Sequence, residues 1–296
     1  MKKVLYFDCF AGISGDMTLG ALLDTGIDHK AFLDEMAKLN VEGFEIKIGR
    51  ADKNGIGATD VDVILTNGEF EEHHHHEHSH EGKHHHEHEH THEHEHIHEH
   101  EHIHEHMHDH THEQHSHEHK HTHVHRNFYD VSKIIDESSI TESAKELAKK
   151  IFMRVALAEA KVHGKTLEEV HFHEVGALDS IVDIIGTAVL IDMIKPDKIV
   201  SSVIHDGHGF IMCQHGKIPV PVPATMEIFA AAGVKIHQCD VENEMVTPTG
   251  AAIIAELSEN YGVCPEMKVV KTGYGAGKRQ FDIPNVLRVL IGEEDD

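Results

Sequence analysis

Apolar and polar positions change period several times along the chain, and each period predicts an element. Residues 4–10 (VLYFDCF) are a short apolar, β-rich run with Asp8 near its end, the pattern of a buried strand. In the following AGISGDMTLGALLDTG, Gly12 and Gly15 mark a turn, a helix is expected from about Ser14 or Asp16 to Leu23, and Gly26 supplies its stop. A second helix is expected at 29–39. Residues 44–50 (FEIKIGR) and 58–66 (ATDVDVILT) alternate with period two, and Asn54–Gly55 between them predicts a hairpin. Past residue 126 the helical period dominates, with helices expected at 130–137, 141–163 and 178–194, the last apolar and ended by Lys195–Pro196. A strand is expected at 199–204. The passage Ile218–Pro219–Val220–Pro221–Val222–Pro223 fits neither a helix nor a central strand. Helices at about 225–232 and at 249–260, behind Thr247–Pro248, precede short strands at 267–271 and 286–291 that flank a loop, Gly273–Lys278. Strands and helices alternate, so the expected class is α/β (or α+β), a mixed sheet with flanking helices.

Residues 73–125 break this pattern. The segment holds 28 of the chain's 36 histidines and, apart from Ile97, Ile103, Met107 and Val124, no large apolar residue. So little apolar surface cannot offset the entropy of ordering, and a His-rich loop disordered without metal is expected. The organisation expected is therefore an N-terminal segment 1–70, a metal-binding insertion 71–126 and the rest of the body, 127–292. The formal charge of the 296-residue chain is −26 with histidine neutral. Residues 73–125 have two lysines against twelve carboxylates and supply −10, leaving −16 for the rest of the chain. Such a body repels phosphate backbones, and aromatic residues are 5% with no Trp, so no nucleic-acid partner is expected. Four scattered cysteines without a CxxC pair argue against disulfides and a Cys-type zinc site. No apolar run approaches membrane-spanning length, and Asp8 interrupts the N-terminal apolar run too early for a secretion signal, so a cytoplasmic protein with no membrane partner is expected.

Four constellations could carry chemistry. Neutral imidazoles bind Ni, Zn, Cu and Co, and the tract (His74, His75, His76, His85, His86, His94, His96, His98, His100, His102 and His104 among its members) offers many labile, interchangeable sites suited to gathering divalent metal. Internal position and admixed Glu and Thr argue against an affinity tag. In FDCFAGISGDM, Asp8 ends a strand while Ser14, Gly15 and Asp16 open a helix, a location where open α/β sheets bind ligands; two anionic groups favour a cation, and the plain alternative is a capped βα turn. HFHEVGALDSIVD places His171, His173, Glu174, Asp179 and Asp183 within 13 residues, dense enough for a metal site or an acid–base cluster, against the alternative of a cap and ordinary surface histidines. Later, His205, His208 and His215 fall in a glycine-rich passage that reads as an ordinary loop. Thr247, Thr249 and Gly250 open a helix, as caps or as anion ligands. Gly273 to Arg279 carries glycines with Lys278 and Arg279 but no Ser/Thr after the Lys, so a tight turn competes with a phosphate cradle.

Taken in order, YFDCFAGISGDM, HFHEVGALDSIVDIIGTA, HGKIPVPVPAT, the stretch from Glu244 to Ala251 and GYGAGKRQF…PNVLRV resemble the LarC family, whose members insert nickel into a pyridinium bis-thiocarboxylate mononucleotide to give the nickel-pincer nucleotide. The resemblance implies a nickel insertase (lyase class) acting on the thiolated pyridinium mononucleotide. The tract would store or deliver Ni(II). Asp8, Asp16, His171, His173, Glu174 and Asp179 would form the transfer site, with Asp16, His173 and Glu174 as acid–base candidates. Gly12, Ser14, Gly15, Thr247, Thr249, Gly250, Lys278 and Arg279 would hold the nucleotide. The match is to the N-terminal part of the family, which implies either a subunit whose C-terminal half is separately encoded or a truncated reading frame. The resemblance also implies CTP with Mn(II) or Mg(II) where that C-terminal region is supplied, and a nickel-pincer enzyme such as a lactate racemase as client. The competing reading is a nickel storage protein or metallochaperone without chemistry of its own. A nickel-loading GTPase would need G-x-x-x-x-G-K-[ST], which the sequence lacks.

Overall fold

This computed structural model describes residues 1–66, 126–170, 172, 178–213 and 215–295. The His tract and its expected metal-dependent order lie outside the described residues, and so do His171, His173 and Glu174.

The chain opens with β1 (Lys2–Asp8) and α1 (Gly15–Asp24), then α2 (His29–Met36) and the hairpin of β2 (Phe44–Lys53) and β3 (Ile56–Leu65). Asn54 and Gly55 both have positive φ (55° and 84°), the two-residue turn whose twist suits a hairpin, and Lys53 faces Ile56 across it. After the insertion come α3 (Phe128–Glu137), α4 (Glu142–His163) and α5 (Leu178–Ile194). Asn127 and Asp130 form a reciprocal capping box on α3, and Thr141 caps α4. Then follow β4 (Lys198–Ser201), β5 (Ile204–Asp206), β6 (Phe210–Cys213), β7 (Gly216–Pro219), α6 (Pro223–Ala232), β8 (Ile236–Gln238), α7 (Pro248–Leu257), β9 (Lys268–Ala276) and β10 (Val286–Glu294).

Six strands form one mixed sheet in the order β2–β3–β9–β10–β1–β4. β1 lies inside it, antiparallel to β10 and parallel to β4, which is why VLYF is a continuous buried run and not an alternating one. The expected α/β class with a mixed sheet and flanking helices is what forms. α5, apolar nearly all round, is buried among α1, α2, α4 and α7. α1 lies directly on β3 and β9. A Cβ on Gly275 would stand 1.9 Å from the Met17 carbonyl oxygen, and one on Gly20 would stand 2.4 Å from that of Thr59.

Three expectations change. The passage with His205, His208 and His215 is not an ordinary loop: His205 lies in β5, and His215 lies at the turn between β6 and β7, where short antiparallel pairing takes up the backbone groups. Gly273 and Gly275 belong to β9, not to a phosphate-cradling loop; they are glycines because the α1 backbone approaches the strand there. The strand expected at 199–204 divides: its pairing with β1 ends at Phe7 and Ser201. The chain leaves the sheet after Ser201, and β5 pairs with β8 in a small separate sheet. The proline-rich passage behaves as its chemistry requires: Pro219 ends the two-stranded β6–β7 hairpin, and Pro223 opens α6.

Candidate functional site

The turn leaving β1 is drawn toward α7. Ile13 donates its N–H to the Met245 carbonyl (3.1 Å) and accepts from Thr247 N–H (3.2 Å). A side chain on Gly250 would stand 2.1 Å from the Ile13 carbonyl oxygen, and one on Gly12 would stand 2.0 Å from that of Met245. These glycines therefore seat the start of α7 on residues 13–14. Thr247 caps α7 by accepting from Gly250 N–H (3.1 Å), and Thr249 is buried in its first turn. Two helix N-termini, with their partly positive N–H groups, thus converge on Ser14 and Gly15.

On the other side of Gly15 stands α5. An added Cβ would lie 2.3 Å from Asp183 Oδ2, so the helices meet where residue 15 has no side chain. Asp183 Oδ1 is buried and has no hydrogen-bond partner among the described residues. Burial pushes the Asp183 carboxyl well above the ordinary range; the charges of Asp16 and Asp179 push the same way, and Lys278 opposes them. Asp16 is also raised, chiefly by burial, although Ser14 O–H, Lys278 and Met17 N–H (2.8 Å) favour its ionised form. Lys278 Nζ is 2.6 Å from Asp60 Oδ1 and 2.6 Å from Asp62 Oδ1. Burial alone would depress this ammonium, but the hydrogen bonds to Asp60 and Asp62 and the charge of Asp16 outweigh it and raise its pKa. Carboxylates outnumber cations around α1 and α5. Such a cluster favours whatever neutralises it, a proton or a divalent cation. Among the described residues no three His, Cys, Asp or Glu side chains already stand together closely enough to hold a metal ion.

The remaining expected residues have identifiable neighbours. Asp8 Oδ2 accepts from Arg288 Nε (2.9 Å) and Nη2, and that guanidinium lies 5.8 Å from the centre of the Phe10 ring. Arg279 donates to Asn243 Oδ1 (2.9 Å) and pairs with Glu244 Oε2 (2.8 Å). Lys278 and Arg279 are thus already engaged by carboxylates, while Asp16, Asp179 and Asp183 are brought together. Sequence reasoning missed Asp60 and Asp62, although their i, i+2 spacing on a strand puts both on one face. It noted Asp183 but left it out of the expected transfer site. It also missed Asp206, whose Oδ1 accepts from Gly207, Met245 and Val246 N–H (2.8, 2.9 and 3.1 Å) and so holds the segment that reaches Ile13; no spacing announces a role made by backbone donors 40 residues away.

A family model described as nickel insertion protein matches residues 5–296. A pyridinium-3,5-bisthiocarboxylic acid mononucleotide nickel insertion protein of Acetivibrio thermocellus is 47% identical over 292 residues, covering 98% of this chain and 60% of that protein. Proteins of the same name from Clostridium acetobutylicum and Clostridium kluyveri are 48% and 42% identical, each over 99% of this chain and 64% and 63% of their own length. The chain thus spans a little over three fifths of the relatives it matches. No solved structure matches it.

Proposed function

The chain belongs to the nickel insertion protein family, and from that premise we propose that it inserts nickel into pyridinium-3,5-bisthiocarboxylic acid mononucleotide, using the carboxylates between α1 and α5. The observation that carries this reading is the half-buried Asp16–Asp183 pair, in which desolvation opposes the ionisation of both residues. A cation arriving there removes the repulsion. A carboxylate with a raised pKa is also a better proton acceptor near neutral pH. Insertion requires both properties. The two thiocarboxylate sulfurs bind Ni(II), the ring C–H electron pair becomes the Ni–C bond, and the proton passes to a carboxylate and then to water, with nickel remaining divalent. Asp16 and Asp183 are the proposed base and metal-receiving pair, with Asp179 adding charge. His171, His173 and Glu174 of the adjoining segment are proposed to complete the set.

The phosphate is proposed to lie against the N–H groups at the α1 and α7 termini, near Ser14, Gly15, Thr247, Thr249 and Gly250, with Lys278 and Arg279 exchanging a carboxylate partner for it. Asp8 enters this scheme only by releasing Arg288. The insertion at 71–126 is proposed to gather Ni(II) as a chaperone segment within a cytoplasmic, lyase-type assembly factor. CTP with Mn(II) or Mg(II) is proposed to act where the portion of the relatives beyond the matched length is supplied, as a separate chain for instance. A nickel-pincer enzyme such as a lactate racemase would receive the product.

The test mixes purified chain, Ni(II) and the thiolated mononucleotide, with and without a C-terminal portion of a relative, and follows the cofactor's absorbance. It is repeated with residues 73–125 deleted. Product from the deleted chain at raised nickel supports a catalytic body. Loss of product at every nickel concentration would instead favour storage by the tract.

A further inference from the structure

The β6–β7 hairpin reaches the C-terminal end of α4. His163 is the last residue of that helix and Glu159 lies one turn before it, with His163 Nε2 3.2 Å from Glu159 Oε2. At the hairpin tip Cys213 Sγ stands 3.9 Å from His215 Nδ1. The imidazole rings of His163 and His215 face each other with centres 5.0 Å apart and planes tilted by 40°. A thiol, two imidazoles and a carboxylate from two elements far apart in sequence therefore share one patch. None of the four is fully buried.

We propose that Cys213, His215, His163 and Glu159 form a second metal site, for a borderline divalent ion of the Ni(II) or Zn(II) kind, separate from the carboxylates at α1 and α5. The first reason is spacing. Ions held at about 2.0 Å by N or O and about 2.3 Å by S keep neighbouring ligand atoms roughly 3–4 Å apart. Both pairs have that separation now. Glu159 and His163 are i, i+4 on one helix face, and Cys213 and His215 are i, i+2 across a tight turn, so each pair is a ready chelate. Rotation of the two imidazoles toward each other would close the pairs on one ion. Donor chemistry is the second reason. One sulfur, two nitrogens and one oxygen select borderline ions over Mg(II), Mn(II) or Ca(II), whereas the all-oxygen set at Asp16 and Asp183 does not. Binding takes the cysteine as thiolate and releases its proton to water, with no change in oxidation state. The alternative is a weak thiol–imidazole hydrogen bond beside a histidine that favours the negative end of α4. That alternative gives no sulfur–metal signal.

The site goes beyond the proposed insertion reaction, and its test uses no nucleotide. The full chain, kept reduced, is titrated with Ni(II) or Co(II) to saturation while the near-ultraviolet sulfur-to-metal charge-transfer band is followed. The imidazoles and carboxylates of the tract bind metal without producing that band. The expected result is a band amounting to one thiolate per chain. It should vanish in Cys213→Ser, persist in Cys239→Ser and Cys264→Ser, and need at least about tenfold more metal in His163→Ala and His215→Ala. Far-ultraviolet circular dichroism checks that each variant is folded. Absence of the band at saturation, or its survival in Cys213→Ser, overturns the proposal. Either result leaves the insertion reading standing, since that reading is judged by cofactor absorbance alone.

Discussion

Gly15 and Asp183 are in contact only because one of them has no side chain: a Cβ on residue 15 would stand 2.3 Å from Asp183 Oδ2, 2.6 Å from its Cβ and 2.7 Å from its Cγ. The conflict involves the root of the aspartate as well as its mobile end, so rotation of the carboxylate alone does not relieve it. Gly15→Ala is expected to push α1 from α5 and to cost on the order of 2–3 kcal/mol, despite the better helix propensity of alanine. Gly20→Ala, which meets the Thr59 backbone oxygen at 2.4 Å, should cost a similar amount away from the carboxylates. Chemical denaturation measures both. The two should diverge in nickel insertion per folded molecule, with Gly15→Ala the more impaired. Equal activity per folded molecule would mean that the Gly15–Asp183 contact only packs.

Asp183→Asn separates stability from chemistry. The native carboxyl is buried beside Asp16 and Asp179, so its charge opposes folding. The amide is nearly isosteric and uncharged. Thermal stability is expected to stay level or rise, while insertion falls by at least about 100-fold, the scale of a lost acid–base group. Asp16→Asn should behave alike. Full activity in Asp183→Asn would remove that residue from the reaction.

The architecture was legible wherever one local rule governed a segment. The hairpin at Asn54–Gly55, the Thr247 cap and the apolar α5 all formed where turn chemistry and periodicity placed them. Legibility failed where a distant backbone decided the outcome. Gly273 and Gly275 read as a phosphate-cradling loop or a tight turn because nothing in their neighbourhood shows that α1 presses on them. β5 and β8 are three residues each and pair only with one another, too short to carry a period. In the site, the α1 and α5 termini were visible as motifs, but their meeting at Gly15 was not. Lys278 and Arg279 looked like free cations because Asp60, Asp62 and Glu244, which engage them, are far away in sequence.

Lys278 tests the phosphate assignment. If its bridge to Asp60 and Asp62 only neutralises charge, Lys278→Gln should destabilise the fold, by roughly 1 kcal/mol for a half-exposed group, and affect all substrates equally. If the ammonium turns to the substrate phosphate, the variant should raise KM for the mononucleotide several-fold more than for the same molecule without its phosphate. Initial rates with the two substrates decide between these. An equal change in both would confine Lys278 to its carboxylate partners.

Asp206 gives the chain a pH dependence of known sign. Burial raises its carboxyl to about 6 from an ordinary 3.8, although N–H groups of Met245, Gly207 and Val246 favour the ionised form. The folded state therefore holds this proton more tightly than the unfolded chain does. The resulting stability is complete below about pH 4 and is lost as pH rises through 6. The full span of that change is roughly 3 kcal/mol at about 1.4 kcal/mol per pH unit. Histidines titrate in the same window, so the measurement is a difference between wild type and Asp206→Asn, in which their contributions cancel. The asparagine Oδ1 can still accept the three N–H groups, and any weakening of those bonds is a constant offset. Urea unfolding at pH 4.5 and 7.5 should show the variant gaining on wild type at the higher pH. A difference that stays flat between the two would mean that Asp206 does not titrate in this range, and that its Oδ2, unpartnered within the described fold, carries a charge the surroundings tolerate.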